Sequence, residues 1–119
     1  MPKIHPSAFR GTPLNLLLRR YGISSLVITG MSSTGCVAAT QLEALESGYY
    51  PVLATAAVAE PNRQRHEQLV SWMAHRGPAF TTDEILAQWA TAWWNSKQRR
   101  VHSEPLDRPE GSAVDRGLF

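Results

Sequence analysis

Hydrophobic and polar positions along this chain follow two alternating periods. Leu14, Leu17, Leu18 and Tyr21 recur at helical spacing behind Thr12-Pro13, a hydroxyl and a proline suited to a helix start. They predict a helix that closes on Arg19-Arg20 and Gly22. The apolar run Leu26-Val27-Ile28 predicts a buried strand over 25–29. A helix is predicted over 34–47, with Val37, Thr40, Ala44 and Leu45 on one side and Gln41, Glu43 and Glu46 elsewhere. Tyr50–Ala56 reads as a second strand with Pro51 at its start, and Ala57 to Pro61 are expected to leave the sheet. A third helix over 62–75 is anchored by Leu69, Trp72 and Met73, and Gly77-Pro78 breaks it. Ala79–Thr81 reads as a short strand. A fourth helix over 82–95 follows, with Ile85, Leu86, Trp89 and Trp93 on its buried face.

Helix–strand alternation with such short connections predicts an α/β fold, a three-layer α/β/α Rossmann-like parallel sheet with right-handed crossovers. About three strands and four helices make an incomplete version of it, because parallel sheets need both faces covered. Residues 1–96 form the expected domain. Residues 97–119 are polar and broken by prolines, and are expected to be a flexible tail.

Composition narrows the function classes. With 119 residues, 43% apolar and 18% charged, one globular domain is expected rather than a disordered segment. A net charge of +2 with scattered cations leaves no nucleic-acid footprint. The Lys97–Arg100 run reads as a solvated helix end. No run approaches the ~20 apolar residues of a membrane span, and Met1–His5 has no apolar signal region, so no membrane partner and a cytoplasmic location are expected. The single cysteine cannot form an internal disulfide.

That cysteine, Cys36, is the candidate centre of the chemistry. A lone cysteine behind a glycine is most often a small buried apolar residue. Three local features point the other way. It opens a helix, where the dipole favours a thiolate. The turn before it, Gly30-Met31-Ser32-Ser33-Thr34-Gly35, is rich in glycine and hydroxyls and can aim backbone N–H groups at one spot. It also lies at the carboxyl end of a predicted parallel strand, where open α/β sheets place ligands. His66 reads as a helix-start or surface histidine, as no nearby spacing resembles a metal site, and no metal is expected. Trp89, Trp93 and Trp94 read as a stripe for core packing or a subunit interface.

The run from Leu18 through Gly30-Met31-Ser32-Ser33-Thr34-Gly35-Cys36-Val37 to Tyr49 resembles the isochorismatase-like cysteine hydrolases, the superfamily of nicotinamidases and N-carbamoylsarcosine amidohydrolases. Lys3–Leu14 is similar to the segment that holds that family's catalytic lysine. Val52–Ala57, His66-Glu67, Met73 and Thr81–Leu86 also fit. The resemblance covers roughly residues 3–90. It implies that Cys36 attacks an amide carbonyl to give a thioester, with Lys3 favouring the thiolate. It implies an oxyanion hole from the backbone N–H groups of Ser32 and Cys36, and a cis peptide between Met31 and Ser32. Retention of Cys36 implies a small-molecule amide or carbamoyl substrate, rather than the vinyl ether cleaved by isochorismatase itself. No cofactor is implied, and a homo-oligomer is expected.

The departures are equally specific. The family's catalytic aspartate lies on a strand before the lysine, and no residue here matches it. Ala56 stands where many relatives carry an aspartate. The chain is therefore expected to be the C-terminal part of such a hydrolase, truncated at its N-terminal side. The alternative is a non-catalytic remnant or oligomerising module that keeps the fold.

Overall fold

The computed structural model describes residues 1–102. Its order is α1 (Leu14–Arg20), β1 (Ser25–Met31), a π-helical turn (Ser33–Val37), α2 (Ala38–Glu46), β2 (Tyr50–Ala59), α3 (Arg63–Ala74), β3 (Ala79–Phe80) and α4 (Thr82–His102). The three strands form one parallel sheet in the order β1-β2-β3. The chain divides after Thr82 into two units, the first holding the sheet and the second α4 from Asp83 onward. None of the described helices is long and apolar enough to cross a membrane.

Helix ends follow from local chemistry. After α1 the N–H of Ile23 reaches the Leu18 carbonyl at 2.9 Å and that of Gly22 reaches Arg19 at 3.1 Å. After α2, Tyr49 and Gly48 repeat the pattern onto Ala44 and Leu45, at 3.0 and 3.1 Å. Both caps need a left-handed residue, supplied by Gly22 (φ 66°) and Gly48 (φ 85°). At the start of α3 the Asn62 side chain accepts the Arg65 N–H at 2.9 Å.

Two apolar clusters hold the first unit. Ile28, Val37, Leu53, Val58 and Met73 form one, with Leu69 and Val70 of α3 packed against it. Phe9, Ala44 and Tyr49 form the other, with Leu14 and Leu18 of α1 beside it. The Phe9 and Tyr49 rings lie 5.8 Å apart, and the Tyr49 hydroxyl donates to the Asn15 side chain at 2.6 Å. These contacts fasten the irregular N-terminal segment to the end of α2.

The structure corrects several expectations. β2 does not end at Ala56. Between Ile28 and Gly30 two steps along β1 meet five along β2, and after this bulge Val58 and Ala59 rejoin the ladder opposite Gly30 and Met31. On α2, Gln41 is fully buried, in line with Val37, Ala38 and Ala44 at i, i+1, i+4 and i+7 spacing, whereas Thr40 and Leu45 are half-buried. Trp72 is not a core anchor: α3 buries a narrow stripe of Leu69, Val70 and Met73, and the Trp72 ring lies outside it under the Arg76 guanidinium, 4.3 Å away. On α4 only Ile85 of the expected face is buried, while Leu86, Trp89 and Trp93 are exposed. α4 also runs on to His102, because no glycine or proline interrupts Thr82–His102 and Lys97–Arg100 are good helix formers. The rest of the expected tail, 103–119, lies outside the described residues.

Two substitutions probe this core by denaturant unfolding. Met73→Ala empties a site that is 1% exposed and is expected to cost about 2–5 kcal/mol, whereas exposed Leu16→Ala should stay within about 0.5 kcal/mol. Gln41 has no hydrogen-bond partner for its amide among the described residues, so Gln41→Met, of similar volume, is expected to raise stability by about 1–2 kcal/mol.

Candidate active site

β1 ends in Gly30 and Met31, and the Met31–Ser32 peptide is cis. Backbone bonds then close the turn on Ser32, whose carbonyl accepts the N–H of Gly35 at 3.1 Å and of Val37 at 3.2 Å. The second of these skips five residues, which is the wide π-helical spacing. Gly35 is needed for close approach: a Cβ there would stand 3.2 Å from the Ser32 hydroxyl. Cys36 follows in the same turn, half-buried, immediately before α2.

Lys3 arrives from the other end of the first unit. Ser7 and Phe9 are buried, the Phe9 N–H bonds the Ser7 hydroxyl at 3.1 Å, and the Ala8 N–H bonds the Thr40 hydroxyl of α2 at 3.0 Å. This fixes the N-terminal segment against α2 one turn past Cys36. The Lys3 ammonium then donates to the carbonyls of His5 (3.1 Å) and Pro6 (3.3 Å) and to Cys36 Sγ (3.7 Å). Lys3 and Cys36 border a cleft of about 320 Å³ walled by Val27, Thr29, Gly30 and Met31 of β1. Among the described residues no carboxylate lines it. Among the described residues no group of three or more His, Cys, Asp or Glu side chains could hold a metal ion.

Of the residues expected from sequence, Lys3 and Cys36 meet, and Met31, Ser32 and Cys36 share the strand end and turn beside them. Sequence reasoning missed the far side of the turn. Ser33, 1% exposed, shares a 2.9 Å hydrogen bond with His66 Nδ1. The Thr34 hydroxyl donates to the Glu60 carboxylate at 2.6 Å. Hydrogen bonds from Thr34 first and Ser32 next, against a smaller opposing effect of burial, hold the Glu60 carboxyl below its ordinary value. The signal was present as three consecutive hydroxyls, Ser32-Ser33-Thr34, but their partners lie 26 and 33 residues away.

The isochorismatase domain matches residues 1–85. The chain belongs to the isochorismatase family. It is 37% identical over 82 residues to the uncharacterized isochorismatase family protein YwoC of Bacillus subtilis, an alignment covering 68% of this chain and 43% of that protein. It is 30% identical over 67 residues to the maleamate amidohydrolase of Pseudomonas putida, covering 56% and 32%. An isochorismatase-like hydrolase from Alkaliphilus metalliredigens superposes with a TM-score of 0.71 at 28% identity, over 73% of this chain and 48% of that one. The chain thus spans less than half the length of these relatives, and its three parallel strands and four helices match part of their α/β fold.

Glu60 is expected to make the turn's stability depend on pH. A carboxyl held below its ordinary value of 4.5 contributes stability that is fully present above that value and is lost as the pH falls through the lowered one. Melting temperature measured against pH should therefore fall more steeply on the acid side in the wild type than in Glu60→Gln. Parallel curves would show that the carboxylate adds nothing to the turn.

Proposed function

We propose that this chain carries the nucleophilic part of a cysteine hydrolase that cleaves amide or carbamoyl C–N bonds through a thioester. The observation that carries this reading is the 3.7 Å approach of Lys3 Nζ to Cys36 Sγ at the carboxyl end of β1. A cation beside a thiol favours the thiolate, and the thiolate is the nucleophile. Sγ attacks the carbonyl carbon and the C–N bond breaks. The nitrogen leaves with a proton as ammonia or an amine, and water then cleaves the thioester to an acid and the free thiol. The backbone N–H groups of Ser32 and Cys36 are proposed to receive the carbonyl oxygen during both additions. Family membership supports a hydrolase, and the amidohydrolase among the relatives supports an amide over an ether.

The leaving nitrogen needs a proton donor and the attacking water a base. No described residue lining the cleft is a carboxylate, so the described residues supply a nucleophile and a cation without that partner. An activated ester avoids the difficulty, because nitrophenolate leaves without a proton. The 119-residue chain is therefore expected to be acylated at Cys36 by 4-nitrophenyl acetate, as read by peptide mass spectrometry, and to release no ammonia steadily from simple amides. Acylation spread over lysines with Cys36 untouched would overturn the nucleophile. Steady ammonia release abolished by Cys36→Ala would overturn the missing partner.

A further inference from the structure

We infer that His66 is a positioning residue for Cys36, acting through its hydrogen bond to the buried hydroxyl of Ser33. It has this role only if Cys36 is the nucleophile, as proposed above. The turn that carries Cys36 is held by Val37, buried in the core, and by side chains of the segment that follows β2. Glu60, just past β2, takes the hydroxyl of Thr34, and that of Ser32 also lowers its pKa; His66, in the second turn of α3, takes Ser33. Ser33 is 1% exposed, so its hydroxyl has little access to water, and losing its partner leaves an unsatisfied buried group. Either ring tautomer completes the bond, because a hydroxyl both donates and accepts. None of Ser33, Glu60 and His66 borders the cleft that holds Lys3 and Cys36. Their effect on a reaction there passes through the backbone of the turn. The Lys3–Cys36 contact is sensitive to it, since 3.7 Å is already long for a hydrogen bond to sulfur and a small shift of the turn would break it.

The chain's single cysteine makes the test direct, because iodoacetamide alkylation of thiol reports Cys36 alone. The readout is the ratio of the alkylation rate at neutral pH to that at alkaline pH, measured beside the melting temperature. His66→Leu is expected to lower the ratio about fivefold, the effect of one hydrogen bond. His66→Asn, whose amide can stand where Nδ1 stands, should restore it. Ser33→Ala should lower it as much as His66→Leu, and the double variant no further. A fall in melting temperature with an unchanged ratio would make His66 merely structural and overturn the inference. If His66→Leu does not fold, a folded Ser33→Ala with an unchanged ratio overturns it equally. Lys3→Met separates the two claims. If it leaves the ratio unchanged while His66→Leu lowers it, the pairing of Lys3 with Cys36 fails and the positioning stands. If it lowers the ratio while His66→Leu does not, the positioning fails and the pairing stands.

Discussion

Two neighbouring parallel strands can be joined only by a chain that crosses back over the sheet, so the pairing of β1 with β2 requires a crossover after β1, which this chain makes as a helix. The entry to that helix is the turn Ser33–Val37, and Cys36 sits in it. The same pairing sets where the turn's anchors come from. β2 runs alongside β1 in the same direction, so the residue that follows β2 emerges beside the residue that follows β1. Glu60 and, a few residues on, His66 are thereby delivered to Thr34 and Ser33. The bulge opposite Ile28 and Gly30 lets the longer β2 keep pace, so the last rungs of the ladder still close beneath the turn.

Much of this order was legible in the sequence. Apolar runs and glycine stops placed the helices and strands of the first unit to within a few residues, because backbone rules act locally there. The turn that carries Cys36 was legible for the same reason: small residues between a strand and a helix leave few other conformations. The pairing of Lys3 with Cys36 became legible only through the family resemblance, since a lysine near a chain end carries no local sign of its partner. What stayed hidden were contacts fixed by tertiary geometry. Gln41 looks like a surface residue by type, yet helical phase puts it in line with Val37 and Ala44. The partnership of Ser33 with His66 depends on how β1 and β2 are registered, which no local pattern encodes.

The tryptophan stripe, read for core packing or a subunit interface, is exposed within the single chain, which argues against the first of these alone. Its spacing is helical and α4 is a helix, but periodicity identifies a face without saying whether anything covers it. The two edges of the sheet pose a related problem. Among the described residues β1 is an edge strand, and Thr29, Gly30 and Met31 are exposed along it beside the cleft. The carboxyl end of β1, beside the cleft, is therefore an exposed part of the sheet edge.

The placement of the aromatic residues has a consequence for spectroscopy. Of the four tryptophans, Trp89, Trp93 and Trp94 lie on α4 and Trp72 on the outside of α3, and all four are more than 40% exposed. Lys97 stands 4.2 Å from the Trp93 ring, close enough to perturb its excited state. Trp72, the tryptophan of the first unit, does not border the cleft of that unit. Intrinsic fluorescence from this chain is therefore a signal from water-facing indoles on two helices. Three of those indoles belong to the second unit, so the emission reports chiefly on α4 rather than on the sheet.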